Sequence, residues 1–300
     1  MGEQMAGQEL RLAAIGCSGK ITEIFVDGFL GQGVKLRLLA RDAERVARRH
    51  PAAEVVKGSM LNPRDVVPVL EGVDAAFVTT PMGLRNDKTL EVEAGRAVIE
   101  AARIAKLKHL IYVSVLGVDA PNGLSLFDAK YEVEGLLKQS GVPWTAIRCG
   151  TYMEDVFDHN LAKLKQGQFL FPVIKDRRFH YTCQADLPRF VVQELLQKNR
   201  VLNRAFNFIT PGSFSIFEVE KLLTQALGKP VKASGKFPLY YMLRLMQPYF
   251  YLRNHRFSTI IPLLGWFNKY GYPAPGQSVQ DLFPQFHMTT LAEHFQKILK

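Results

Sequence analysis

Cysteine is scarce in this chain of 300 residues: Cys17, Cys149 and Cys183 are the only three, and they have no paired spacing. Their scarcity argues against a disulfide framework or a zinc site, so no metal ligands are expected and a reducing compartment fits. Apolar runs long enough to span a membrane are also missing, because the longest candidates are cut by Arg244, Arg253, His255, Arg256 and Lys269. The first ten residues lack the basic start and apolar stretch of a signal peptide, and Ala6 breaks a myristoylation pattern. A cytoplasmic location is therefore expected. Repeats of solenoid period and low-complexity tracts are likewise lacking.

Acidic residues are outnumbered, giving a formal net charge of +10. The excess Lys and Arg is scattered through helices and loops, without a zinc finger, basic zipper or RNA-recognition motif, so no specific nucleic-acid partner is expected. A basic surface that draws in an anionic cofactor accounts for the charge. Contact with an acidic membrane surface or partner is the second reading. A hydrophobic content of 47% is ample for a core, in one large domain or two.

The most informative stretch runs from Leu10 to Arg45. Its pattern predicts an apolar strand over Leu12–Ile15, a turn Gly16-Cys17-Ser18-Gly19-Lys20-Ile21-Thr22, a helix through Leu30, and a second strand over Val34–Leu39. A strand that yields to glycines where a helix begins brings backbone N–H groups close to an anion. Gly16, Ser18, Gly19, Lys20 and Ile21 are thus the expected phosphate cradle of a dinucleotide. Thr22 stands where a third glycine would sit. Arg41 ends the second strand, where an acid suits a ribose 2′-hydroxyl and an arginine suits a 2′-phosphate, so NADP is favoured and NAD stays possible. Arg45 either adds a second charge or lies on a solvated helix face. Cys17 either fills a tight turn or is a thiol activated by the helix start.

Further along, strands and helices alternate. Strands are expected at Ala53–Val56, Val73–Thr80, His109–Val115 and Val142–Arg148, and helices after Asn62-Pro63, over Asn86–Lys106 and over Leu124–Gln139. That alternation implies right-handed parallel crossovers and an α/β, doubly wound parallel sheet. Thr79, Thr80 and Pro81 close the strand over 73–80 and become candidate walls of the cofactor cleft. Residues 1–150 are expected to bind the nucleotide, and residues 151–300 to form a smaller mixed α/β lobe interleaved with them. In that lobe, helices are expected over Tyr152–Lys165, Ala185–Lys198, Ile216–Leu227 and Thr289–Leu299, with short strands at Phe169–Val173, Arg178–Thr182 and Ala205–Ile209. The aromatic segment 238–275 is core, dimer surface or the wall of an apolar pocket.

These motifs together resemble the NmrA-like group of atypical short-chain dehydrogenases/reductases, which includes isoflavone-reductase-like and NADPH:quinone or azo reductases. The resemblance is carried by Ala14–Ile21, Leu39–Asp42, Gly72–Phe77, His109–Ser114, Phe127–Glu134 and Gly141–Asp155. It implies a Rossmann domain. It also implies cofactor contacts from Ser59 and Met60, where the family often has an Asp for the adenine, and from the closing segment Cys149, Gly150, Thr151 and Tyr152.

The ordinary short-chain dehydrogenase uses Tyr-x-x-x-Lys, but Leu126 stands four residues before Lys130. Lys130, supported by Ser114, is therefore the candidate catalytic group, either as ribose anchor or as acid/base. Tyr152, His180 and Tyr181 are secondary candidates. One expectation is an NADPH-dependent reductase of a small hydrophobic, aromatic or quinone-like acceptor. Another is a redox-sensing regulator that binds NAD(P) without turnover and displays a surface to a protein partner. A third is an assembly protein that retains the fold. A homodimer is compatible with each.

Overall fold

The computed structural model describes residues 9–17, 19, 23–119, 122–198, 201–234, 239–253 and 255–300. The first half alternates strictly: β1 (Arg11–Ile15), α1 (Glu23–Gly31), β2 (Lys35–Ala40), α2 (Ala43–Arg49), β3 (Glu54–Lys57), α3 (Pro63–Leu70), β4 (Ala75–Val78), α4 (Thr89–Ile104), β5 (Leu110–Val115), α5 (Ser125–Gln139) and β6 (Trp144–Cys149). Local chemistry sets several of these boundaries. Asn62 caps α3 by accepting from the Arg64 N–H, and Pro63, which has no N–H to leave unpaired, occupies the first turn. β4 is buried along its whole length, as a central parallel strand with helices on both faces must be.

The second half comprises β7 (Thr151–Tyr152), α6 (Met153–Val156), α7 (Leu161–Lys165), β8 (Gln168–Leu170), β9 (Tyr181–Thr182), α8 (Asp186–Phe190), β10 (Arg204–Phe208), α9 (Ile216–Leu227), β11 (Lys232–Ser234), α10 (Leu239–Leu245), α11 (Gln247–Leu252), α12 (Phe257–Tyr270), α13 (Val279–Leu282) and α14 (Leu291–Leu299). The main sheet is seven-stranded and parallel, in the order β10-β6-β5-β4-β1-β2-β3. From β1 the chain winds outward to β3 and then returns to β4 on the other side. The order therefore reverses between β1 and β4, where Ile15 pairs with Val78, and ligands of such sheets bind at the carboxyl ends flanking this point.

The doubly wound α/β expectation holds. The strand expected at 205–209, however, is not part of a separate lobe: as β10 it pairs with β6 and completes the main sheet. The single helix expected over Tyr152–Lys165 is broken into β7, α6, a 3-10 turn at Asp158–Asn160 and α7. Asp158 in that turn is held by His294 of α14 at 2.9 Å, which fixes the break. α8 passes into a π-helical stretch, Val191–Lys198. Leu90, in the first turn of α4, is exposed.

The halves are welded by aromatic packing. Phe190, fully buried at the end of α8, touches Phe206 and Phe208 of β10 and Phe283 and Phe286 near α13, with ring centroids 4.9–5.8 Å apart. α8 also presses on α1, where a Cβ on Gly28 would lie 2.6 Å from Pro188 Cγ. Such a ring cannot collapse onto a void, so Phe190→Ala is expected to lower stability by about 3–5 kcal/mol. Urea unfolding followed by circular dichroism measures it, and a loss under about 1 kcal/mol would contradict this packing role.

Candidate functional site

Gly16 leaves β1 with φ +82°, and a Cβ there would fall 1.9 Å from the Thr79 carbonyl oxygen. No side chain is tolerated at that crossing. Thr79 holds the turn further: its N–H donates to Ile15 O and its hydroxyl to Gly16 O, both at 2.9 Å. The β1 turn and the end of β4 are thus clamped together at the reversal of strand order. Gly19 lies in the same turn, whereas Ser18, Lys20 and Ile21 fall outside the described residues, as does Thr22. Cys17 is fully buried, and burial pushes its thiol up to about 12 despite the Thr79 hydroxyl, so it packs the turn and is not an activated thiolate.

Arg41 follows β2 and is exposed, with no hydrogen bond or ion pair among the described residues. Arg45 differs, since Asp42 both caps α2 through the Arg45 N–H and pairs with its guanidinium at 3.3 Å. Beyond β3, Ser59 forms the turn into α3: its N–H donates to Asp65 at 2.9 Å, and its hydroxyl accepts from Leu61 N–H at 3.3 Å. A carboxylate thus reaches this turn from α3, six positions after the serine. Met60 is half-buried against the core.

Lys130 projects from α5 beneath the end of β4. Its ammonium lies 2.8 Å from Glu91 Oε1 of α4 and donates to Thr80 Oγ1 at 2.9 Å and to the Val113 carbonyl at 3.1 Å. Two of its hydrogens thus donate in hydrogen bonds, and the Glu91 carboxylate stands beside it as counter-ion. The Thr80 hydroxyl in turn lies 2.7 Å from Glu91 Oε1 and 3.1 Å from the Tyr112 hydroxyl. Burial pulls the Lys130 ammonium down, but the Glu91 carboxylate, reinforced by the Tyr112 hydroxyl, more than offsets this and holds it above the ordinary lysine value. Burial pushes the Tyr112 phenol up to about 12. The cluster is one fixed cation with its counter-ion, and Pro81 continues the chain past it.

Ser114 does not support Lys130. Its hydroxyl donates to Glu134 Oε1 at 2.6 Å, and Arg148 of β6 grips the same carboxylate with contacts of 3.0 and 2.8 Å. The two networks lie side by side because Lys130 and Glu134 are one helical turn apart on α5, while Tyr112 and Ser114 share a face of β5. Glu91 was missed in the sequence reading. Its signal was present: it shares a helical face with Gly95, Val98 and Ala102, all buried, so an acid there requires a buried partner.

The closing segment is anchored from the second half. The Gly150 N–H donates to Thr182 Oγ1 and the Thr151 N–H to the His180 carbonyl, each at 2.9 Å. A Cβ on Gly150 would meet that carbonyl at 2.6 Å. The Thr151 hydroxyl is buried without a partner among the described residues. Burial pushes the Cys149 thiol up to about 12, and the half-buried Tyr152 phenol beside it lies well above its ordinary value. Tyr181 is sealed in the core between Phe157 and Phe214, and burial drives His180 down, towards its neutral form. Elsewhere Glu154, Cys183 and His294 bring ligand-type atoms within 4.8 Å of one another. The Glu154 carboxylate there already accepts from Gln184 N–H and the Cys183 thiol, as part of a loop cap.

A family model described as NAD(P)H-binding matches residues 16–172. The chain belongs to the NAD(P)H-binding family. This agrees with the NmrA-like, atypical short-chain dehydrogenase/reductase resemblance of its motifs. A relative in Streptomyces griseus, a (4-alkanoyl-5-oxo-2,5-dihydrofuran-3-yl)methyl phosphate reductase, is 35% identical over 69% of this chain and 71% of its own length. The photosystem II assembly factor Ycf39 of Trieres chinensis is 24% identical over 80% of this chain and 76% of its own. The Citrobacter triphenylmethane reductase, solved in complex with NADP(H), shares the fold with a TM-score of 0.75 at 17% identity, covering 97% of this chain and 100% of that one. No helix among the described residues is long and apolar enough to cross a membrane.

Removing Glu91 would strand a buried ammonium. Glu91→Gln is expected to destabilise by about 3–5 kcal/mol in urea melts at neutral pH, and Glu91→Gln/Lys130→Met to recover most of that. Because the folded-state pKa of Lys130 is raised, its contribution is complete below about 10.5 and fades as pH climbs through the folded value. Wild-type melts should therefore weaken above that pH more steeply than those of Lys130→Met. Equal slopes would show that the pair is not coupled as described.

Proposed function

We propose that this chain is an NADPH-dependent reductase of a small hydrophobic acceptor of aromatic or quinone-like character. One observation carries the reading: the buried Lys130 ammonium is paired with Glu91 and bonded to Thr80 and the Val113 carbonyl, and the phenol that short-chain dehydrogenases place four residues earlier is replaced by Leu126. A carbonyl reduced to an alkoxide needs an acid at its oxygen. A quinone or extended aromatic acceptor can spread the incoming charge and take its proton from water.

The residues fit a dinucleotide phosphate. Gly16 leaves backbone without a side chain at the reversal of strand order, Arg41 offers an exposed cation beyond β2 and Thr151 a buried hydroxyl, each without a partner among the described residues. When bound, NADPH supplies the hydride. In this reading the Gly16–Ile21 turn holds the pyrophosphate, Arg41 meets the 2′-phosphate, and Ser59 and Met60 flank the adenine. Thr79, Thr80 and Pro81, with Cys149–Tyr152, form the walls on the nicotinamide side. Lys130 is a positioning residue: paired with Glu91, it fixes Thr80 at the end of β4. The reductase relative supports turnover, and the assembly-factor relative supports a second reading in which nucleotide binds without it. The paired Lys130 is compatible with both.

Purified protein is expected to oxidise NADPH, followed at 340 nm, with at least one acceptor in a panel of menadione, azo dyes and enones, and to prefer NADPH to NADH. Arg41→Ala should weaken NADPH binding about 10- to 100-fold in calorimetry while leaving NADH nearly unchanged. Tight NADPH binding with no turnover across the panel would overturn the reductase reading in favour of the second.

A further inference from the structure

The aromatic segment divides into two surfaces. Trp266, Phe267 and Tyr272 pack inward around Phe127, at centroid distances of 4.8–6.4 Å. α10 and α11 do the opposite. Backbone bonds from Met246 N–H to Met242 O and from Phe250 N–H to Met246 O carry a helical path across the junction between them. Tyr240, Leu243 and Phe250 face the protein. Met242, Leu245, Tyr249 and Leu252, at i, i+3, i+7 and i+10, form a stripe on the outside. Leu245 is 83% exposed and Leu252 78%, far beyond what a helix resting on its own core leaves in water.

The charge of the segment that carries the stripe has one sign. Between Glu220 and Asp281 the chain has no acidic residue but eight lysines and arginines. Arg244, Arg253 and Arg256 flank the stripe, all exposed. Arg253 lies 5.9 Å over the Tyr249 ring. Protruding leucines, tyrosines beside them and an arginine-rich rim match the boundary of an anionic bilayer, where leucine enters the acyl layer, tyrosine sits among headgroups and arginine meets phosphate. A second copy fits poorly: two-fold pairing on this face would set three arginines near their own copies, and Asp155, the acid beside Arg256, offsets one of the three.

We propose that the α10–α11 face docks on the surface of an anionic phospholipid membrane as an in-plane amphipathic anchor. The site lies next to the cleft. The loop after β4 is tied to α11 by a bond from the Arg85 guanidinium to Tyr251 O at 3.0 Å, and to the adjoining α12 by bonds from Arg85 N–H to Ser258 Oγ at 2.8 Å and from Asn86 N–H to Thr259 Oγ1 at 3.1 Å. Docking therefore brings the carboxyl end of the sheet close to the lipid surface.

Flotation of the full chain with phosphatidylglycerol/phosphatidylcholine vesicles tests this, with pure phosphatidylcholine and raised salt as comparisons. Binding is expected only to the anionic vesicles, weakening with salt. It should fall at least about tenfold in Leu245→Glu/Leu252→Glu, but not in Ile104→Glu, which alters an exposed apolar residue elsewhere. Both variants change exposed side chains and should keep wild-type thermal unfolding. Wild-type protein that stays with the aqueous fraction, or a double variant that floats as well as wild type, overturns the proposal. So does loss of a dimer, seen by light scattering, in a double variant of a protein that never floats, because the face then joins two copies. Nucleotide binding and turnover play no part in the readout.

Discussion

A charged group is admitted to a protein interior only when its hydration shell is replaced almost atom for atom, and Lys130 meets that demand with a carboxylate, a hydroxyl and a carbonyl drawn from three different elements or their ends. The pair draws α4 and α5 together across β4 and β5. Close approach of the two helices accompanies it: a Cβ on Gly95 of α4 would lie 2.6 Å from Val133 of α5. Buried ion pairs contribute little net stability against an apolar substitute, but they tolerate few alternative arrangements. What the pair provides is register. Thr80 is fixed from below, Thr79 follows it, and Thr79 in turn clamps the Gly16 turn.

This chain of dependence explains what the sequence made legible. The alternation of apolar strands and helices, the helix start at Asn62-Pro63 and the glycine turn at Gly16 depend on neighbouring residues, and each could be read directly. Lys130 could also be found by its spacing. Its partner could not be found that way, because Glu91 lies 39 positions earlier and only helical phase marks it as inward-facing. Ser114 was assigned to the wrong neighbour for a similar reason. The face of a strand can be read, but which of two side chains one turn apart on α5 reaches it depends on how the helix sits.

The second half was harder for a different physical reason. Apart from β10, its strands are two or three residues long, too short for a period to emerge, and its helices end where distant groups intervene, as His294 does at Asp158. The aromatic segment misled by uniformity, since composition alone does not separate Trp266, which packs inward, from Tyr249, which points out. Arg85 and Asn86, both with φ near +56°, are equally silent in the sequence. Neither is glycine, so the left-handed backbone there is held by bonds to α12 and not by local preference.

The position of β10 at the sheet margin bears on how the chain is born. β6 is complete once residue 149 has been synthesised, yet the strand that covers its open edge begins only at Arg204. During translation at roughly 5–20 residues per second, that edge therefore stands unpaired for seconds. An uncovered parallel strand of apolar residues is a template for the wrong neighbour. The fold thus carries its greatest hazard in the interval between two of its own strands, and slow decoding across 150–204 would lengthen it.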